Sequence, residues 1–423
     1  MKLSKFNIIK YINEDTLIYN TISAGVLMLN KEYSKYFKDL QNIGTSDKED
    51  LIEQLKQGNM VVDDDIDEVS MLEVANYSQR FSNSHLSLTI APTLNCNFAC
   101  PYCYEEGYRY SSMNSDVKND LIKFIENYKN INQLNITWYG GEPLLEINVI
   151  EELTKKILKK FDTSKYSASI VTNGFLLNKE NALILKNNHV KSVQVTLDGP
   201  KEIHDSRRIL LSGAGTFDTI LRNIKESCEI IPIVVRINVD KSNINKVDSL
   251  IDCFESNNLI NKIGFYLAPV DDINSSCKNN QCFSMKEFSD EEVMFYEKCF
   301  KKGINSINIP RANLGICGAV TRNSYVVAPT GDLYKCWDEI GRSEYKIGSL
   351  KDGYTVNNRL SKWLLYNPLN EHSECRDCSV LPICFGGCPY NYMQGRNKKC
   401  DSINYNSLKK MELLYTSKGN KND

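Results

Sequence analysis

Between residues 85 and 305 the chain passes six times from a short β-branched run into a stretch of helical period. The runs are HLSLTIAPT (85–93), LNITWYGG (134–141), SASIVTNG (167–174), SVQVTLDG (192–199), IVVRINVD (233–240) and IGFYLAPV (263–270). Amphipathic stretches such as NDLIKFIENYKN, EELTKKILKKF, TILRNIKESCE and VDSLIDCFESNN lie among them. Strands that alternate with helices predict an α/β fold with a parallel sheet and helices outside. The runs are apolar nearly throughout, as expected where both faces of a sheet are covered. Glycines and polar residues gather just after each run, where α/β folds build their sites, at the carboxyl ends of the strands.

The flanks read differently. In residues 1–84, FNIIKYI and TLIYN form a hairpin pattern around NED, and GVLMLN is a third short run. YSKYFKDL and KEDLIEQLKQ are amphipathic, so a small α+β, winged-helix-like domain is expected. The acidic run DDDIDE reads as a solvated face. Residues 306–423 are loop-rich apart from a helix expected over 403–417, and such a segment needs a staple to stay folded. Three domains follow, 1–84, 85–305 and 306–423.

With 51 basic and 53 acidic residues, no large field for nucleic acid or anionic lipid is expected. No apolar run is long enough to span a bilayer. The opening MKLSKFNIIKYINEDT has no continuous apolar core, so no secretory signal is expected and a cytoplasmic location follows. Neither nucleic acid nor membrane is expected as a partner.

The chain carries 15 cysteines, which in a reducing compartment point to metal or chemistry rather than disulfides. Cys96, Cys100 and Cys103 are spaced C-x-x-x-C-x-x-C just after the first run. Zinc sites usually take four ligands, and no fourth Cys or His stands nearby. Three thiolates on one short loop suit a four-iron cluster with one iron left open. A second group holds Cys317, Cys336, Cys375, Cys378, Cys384, Cys388 and Cys400, with Gly331 ahead of Cys336 in a G-x-x-x-x-C element. By spacing alone this group could be a zinc ribbon. Cys228, Cys253 and Cys299 fall in helical patterns as buried apolar side chains. Cys277 and Cys282, in SSCKNNQC, read as solvated loop thiols, extra ligands or a redox pair.

The three-cysteine loop, the strand-end WYGGEP and the six-unit α/β region together resemble the radical S-adenosylmethionine (SAM) enzymes, and the later cysteines resemble the SPASM extension of a subset of them. The resemblance covers about residues 85–405 and implies a partial (β/α)6 TIM-like barrel followed by a loop-rich iron–sulfur domain. It implies SAM and three 4Fe–4S clusters. Cys96, Cys100 and Cys103 would hold the first, whose open iron takes the amino and carboxylate groups of SAM. Cys375, Cys378, Cys384 and Cys400 would hold a fully ligated auxiliary cluster, and Cys317, Cys336 and Cys388 another with three ligands. Gly140, Gly141, Glu142 and Pro143 match the element that holds the SAM amino group, and Thr172 and Asn173 match the position near the ribose. Thr196, Asp198 and Arg207, in TLDGPKEIHDSRR, are assigned to the SAM and substrate mouth, with His204 and Asn238 as further candidates. Tyr102 and Tyr104 flank Cys103 and would shield the cluster or support the adenine, or simply pack.

Sulfatase-maturing relatives place an Asp general base directly after the cysteine of the G-x-x-x-x-C element. Here Trp337 intervenes, and Asp338 is the candidate base. The pattern GVLMLNKEYSKYFKDL resembles the precursor-recognition domains of ribosomal-peptide-modifying enzymes, which bind a leader as an added strand. The expected function is therefore a peptide maturase that forms a thioether from Cys. Its partners would be a precursor with leader and Cys-containing core, and a ferredoxin or flavodoxin as electron donor. Formylglycine formation in a sulfatase is the alternative, and a non-catalytic iron–sulfur protein the remaining one.

Overall fold

The computed structural model describes residues 1–43, 48–103, 112–271, 281–304, 310–314 and 317–419. They divide into two compact units, one of residues 1–81, 285–317 and 365–423, the other of 82–284 and 318–364. The expected third domain is thus shared between the two.

The first unit opens with strand β1 (Lys2–Leu3) and a three-stranded sheet of β2 (Asn7–Ile12), β3 (Asp15–Asn20) and β4 (Val26–Leu29) in that order. β2 and β3 pair from Asn7↔Asn20 to Ile12↔Asp15. Asn13 at the turn takes φ of 56°, a left-handed conformation that Asn tolerates. Helices α1 (Lys31–Ile43) and α2 (Glu49–Gln57) follow, then β5 (Val61–Val62), which pairs with β1, and α3 (Glu68–Arg80). Ile18, Leu29, Phe37, Leu40, Leu51 and Leu55 form one core of this unit. A second joins Phe6, Val69 and Leu72 to Leu369, Cys375, Leu381 and Phe385. The C-terminal loops cannot bury enough apolar area alone, and they share it with the buried side of α3.

In the other unit the six runs are β6 (His85–Ile90), β7 (Gln133–Trp138), β8 (Tyr166–Thr172), β9 (Val190–Leu197), β10 (Ile233–Val239) and β11 (Gly264–Pro269). They lie parallel in chain order, each beside the next. Helices α4 (Ser115–Glu126), α5 (Ile147–Leu158), α6 (Lys179–Asn187), α7 (Lys201–Arg207), α8 (Phe217–Ser227) and α9 (Val247–Ser256) make the crossovers. This is the parallel sheet with crossover helices that a partial (β/α)6 barrel requires. Residues of β8 and β10 alternate between buried and half-buried, so one face of these strands is more open than an evenly apolar run suggests.

Beyond β6 the sheet continues through β12 (Ser324–Val327), β13 (Asp332–Tyr334), β14 (Gly348–Ser349) and β15 (Gly353–Tyr354) to ten strands. Strands of two to four residues leave no readable period, which is why sequence reading took this stretch for loops. Helix α10 (Met285–Lys301) and a C-terminal helix, Ile403–Gly419, belong to the first unit. Among the described residues no helix is long and apolar enough to cross a membrane.

Candidate active site

The three-cysteine loop leaves the carboxyl end of β6 and is clamped from two sides. On one side Gly141 N donates to Thr93 O at 3.3 Å and Glu142 N to Asn95 O at 2.9 Å. Gly140 has φ of 113°, and a Cβ there would lie 2.4 Å from Thr93 O. A Cβ on Gly141 would lie 2.3 Å from Asn95 O. Only glycine lets the end of β7 come this close to the loop. On the other side Phe98 bridges to Leu210, Ala99 N donates to Ile209 O at 2.9 Å and Leu211 N to Asn97 O at 3.0 Å.

Within the loop, Phe98 N donates to Cys96 Sγ at 3.4 Å. Burial pushes the Cys96 thiol up to about 12, and the charges of Glu142, Cys100 and Cys103 add to the shift. A thiol so raised ionises only against a cation, which suits a ligand better than a free nucleophile. Among the described residues no three His, Cys, Asp or Glu side chains converge on a point that could hold a single metal ion. A cubane does not require that convergence, because each iron takes one thiolate. Tyr104 lies outside the described residues.

Glu142 is fully buried, and its carboxylate accepts from Leu144 N at 3.0 Å, Thr172 Oγ1 at 2.6 Å and Asn173 N at 2.7 Å. It braces the end of β7 against the end of β8, and burial raises its pKa against those contacts. Pro143, itself buried, starts a 3-10 turn, Pro143–Glu146. Asn173 reaches back to the cysteine loop, donating to Asn97 Oδ1 at 2.8 Å with Cys96 Sγ at 4.0 Å. GGEP, VTNG and the cysteine loop therefore share one mouth. Thr196 is buried near the end of β9.

Asp198, just past β9, organises the next side of the mouth. Its Oδ2 accepts from Tyr102 at 2.6 Å and from Arg207 Nε at 2.9 Å. Arg207 Nη1 donates to Asp240 Oδ2 at 2.7 Å, and Arg208 Nη1 donates to the Tyr102 oxygen at 3.0 Å. Tyr102 is thus fixed by its hydroxyl. Burial, before the nearby charges, keeps it protonated. Two buried atoms of this network, Asp198 Oδ1 and Arg208 Nε, have no hydrogen-bond partner among the described residues. An orphaned acceptor and an orphaned donor at one mouth fit a ligand that carries both kinds of group, as SAM does. Sequence reading chose Arg207 of the Arg-Arg pair and missed Arg208, which faces Phe98 and feels the charge of Cys100. The Asn238 side chain accepts from Arg236 Nε at 2.8 Å and its carbonyl from Asn243 Nδ2 at 2.9 Å.

His204 is fully buried, with Asp198 N at 3.3 Å from Nδ1 and Thr216 Oγ1 at 3.0 Å from Nε2. Burial first, then Arg208 and Arg207, hold its pKa well below 6.5. Below pH 6.5 the unfolded chain takes a proton that the native His204 refuses, so stability falls as pH drops through that range. His204→Gln is expected to flatten this acid-side slope in urea titrations between about pH 5 and 7; an unchanged slope would assign it to other groups.

Cys336 follows β13, with Asp338 Oδ2 at 3.6 Å from its sulfur. Asp338 is 8% exposed, and its carboxyl is pushed up to about 6 by burial, with Asp271 adding and Cys336, Arg342 and Arg236 opposing. Trp337, 48% exposed, stacks on Tyr139 with ring centroids 5.8 Å apart. Glu339 is turned inward to Arg359 and to Trp363 Nε1 at 3.2 Å, so it serves structure.

In the first unit, Cys375, Cys384 and Cys400 all bear on the charge of Cys378, so these four cysteines are gathered in one place. Cys317 and Cys388 also belong to this unit, whereas Cys336 belongs to the unit of the parallel sheet. Cys299 is buried as expected, while Cys228 and Cys253 are half-buried. Cys282 is disulfide-bonded, which corrects its reading as a solvated loop thiol or extra ligand and agrees with the redox-pair alternative, and Cys277 lies outside the described residues.

Residues 90–253 match the model of the Radical SAM superfamily. The chain is 26% identical over 341 residues to a cysteine-type anaerobic sulfatase-maturating enzyme of Clostridium novyi, covering 72% of this chain and 88% of that protein. Its fold matches anSMEcpe with bound AdoMet and Kp18Cys peptide, at a TM-score of 0.63 and 21% identity, over 79% of this chain and 99% of that one. It also matches Streptococcus suis SuiB bound to S-adenosylmethionine, at a TM-score of 0.56 and 16% identity, over 93% of this chain and 97% of that one. The cysteine loop held at the mouth of a parallel sheet, against glycines that admit its backbone, lies within this match, and residues 90–253 form a radical SAM domain.

Proposed function

We propose that the chain is a peptide maturase that takes a hydrogen atom from a ribosomally made precursor and forms a thioether from a cysteine of its core. When bound, the first cluster and SAM would supply a 5′-deoxyadenosyl radical. The side chains hold and orient. Cys96, Cys100 and Cys103 would take three irons. With the Glu142 carboxylate committed to Thr172 and Asn173, the backbone of Gly140 and Gly141 is left to receive the SAM ammonium. Asp198 Oδ1 and Arg208 Nε would face the polar groups of SAM, while Tyr102, Arg207, Thr172, Asn173 and Thr196 keep the mouth in shape. Pro143 fixes the turn behind it.

The observation that carries the peptide reading is the open edge of β4, which pairs on one side only among the described residues and includes the exposed Val26. An extended leader would add to that edge through backbone hydrogen bonds. Coverage supports this: SuiB accounts for 93% of this chain against 79% for anSMEcpe, and SuiB is also known bound to precursor peptide SuiA. As the sulfur–carbon bond forms, thiol and C–H each lose a hydrogen. One would leave as a hydrogen atom and the other as a proton, for which Asp338 is the candidate acceptor; the auxiliary clusters, when bound, would supply the site that takes up the remaining electron. Cytoplasmic location and a ferredoxin or flavodoxin donor belong to the same reading.

The test is incubation of the reduced, reconstituted protein with SAM and a Cys-containing precursor, with and without its leader. The expected products are 5′-deoxyadenosine and a peptide lighter by two hydrogens, at a rate lower by about ten-fold or more when the leader is missing. Deoxyadenosine with no loss of mass from any Cys peptide would remove cross-linking. Asp338→Ala is expected to lower peptide product by about 10²–10⁴-fold while deoxyadenosine still forms, and unchanged product would clear Asp338 of the role.

A second reading, formylglycine formation, is favoured by the 26% identity to a sulfatase-maturating enzyme and by Asp338 lying 3.6 Å from Cys336. Aldehyde-reactive labelling of a sulfatase peptide after turnover separates the two.

A further inference from the structure

The geometry points to Lys398 as a fixed positive charge on the auxiliary cluster of Cys375, Cys378, Cys384 and Cys400, placed to raise that cluster's reduction potential. The inference rests on the auxiliary-cluster assignment above. Lys398 Nζ donates to Cys375 Sγ at 2.9 Å and to Glu374 Oε1 at 3.2 Å. The two contacts are not equal. The Glu374 side chain is 66% exposed, where an ion pair contributes little. Cys375 is 3% exposed and the lysine side chain 14%, so water screens the sulfur contact far less.

Bringing an ammonium this far inside costs solvation, which a neutral thiol offsets poorly and a thiolate ligand offsets well. Lys398 lies two residues before Cys400, so the segment that delivers the last ligand delivers the charge. By contrast, the sulfur contacts of Cys378 are neutral, the side-chain amide of Asn404 at 3.3 Å and the backbone N–H of Val380. A hydrogen bond and a cation at a ligand sulfur favour the more negative, reduced cluster over the oxidised one, and such contacts help set iron–sulfur potentials.

The test uses the full chain with Cys96, Cys100 and Cys103 all replaced by alanine, so that only auxiliary clusters titrate. Lys398→Met and Lys398→Arg are followed by electron paramagnetic resonance at poised potentials, with iron per chain measured alongside. In Lys398→Met one auxiliary signal is expected to move to a more negative potential. At fixed solution potential its reduced-to-oxidised ratio falls about ten-fold or more, the worth of one hydrogen bond to a charged group, and Lys398→Arg restores it. Unmoved signals at full iron content overturn the inference. Loss of one cluster's iron in both Lys398→Met and Lys398→Gln makes the lysine an assembly residue and overturns it as well. Absence of auxiliary iron from the triple-alanine parent at unchanged circular dichroism removes the cluster assignment itself.

Discussion

Alanine at Cys96, Cys100 and Cys103 is expected to abolish reductive cleavage of SAM and to leave untouched the iron proposed for the later cysteines. The expected loss is at least about 10⁶-fold in 5′-deoxyadenosine formation, because no other group in the mouth supplies an electron. The clamp predicts this loss to be local. The loop's backbone bonds to Ile209, to Asn97 from Leu211, and between Asn95 and Glu142 do not use the thiols. Circular dichroism and the urea midpoint should therefore stay close to wild type. Deoxyadenosine formation that survives the triple substitution, or zinc in place of iron at this loop in anaerobically purified protein, would refute the assignment.

Gly141→Ala is expected to be the most damaging single substitution in the mouth. The new Cβ meets Asn95 O at 2.3 Å, with Asn95 C and Leu94 O both at 2.6 Å. These are backbone atoms, so no side chain can turn aside, and the cysteine loop or the end of β7 must move. Overpacking of this kind costs about 3 kcal/mol. For a unit of this size that lowers the melting temperature by roughly 6–12 °C. The displaced loop should also hold less iron at Cys96, Cys100 and Cys103. Gly264→Ala is the control, since its Cβ would meet Val234 at an ordinary 3.5 Å. Equal melting temperatures and iron contents for the two variants would show that the loop does not depend on the close approach at Gly141.

The α/β alternation and the place of the cysteine loop were legible in the sequence because both are written locally. A strand of six to eight residues declares itself by its own side chains, and C-x-x-x-C-x-x-C needs no partner to be recognised. Strands β12–β15 were not legible, since two to four residues carry no period and are held by a neighbour that is already in place. Nor was the shared core of α3 and the C-terminal loops, where Val69 and Leu72 meet Leu381 and Phe385 from the far end of the chain.

The same division runs through the site. Residue types and spacing alone marked Cys96, Cys100 and Cys103 as candidates for iron and the later cysteines as candidates for metal, and showed glycines just after β7. Only tertiary structure decided that Glu142 is a brace rather than a free carboxylate, that Arg208 joins Arg207 at the mouth, and that Lys398 reaches Cys375. Each of these depends on where a side chain meets another segment, and no local pattern encodes that. Burial then sets what the charge at such a meeting is worth.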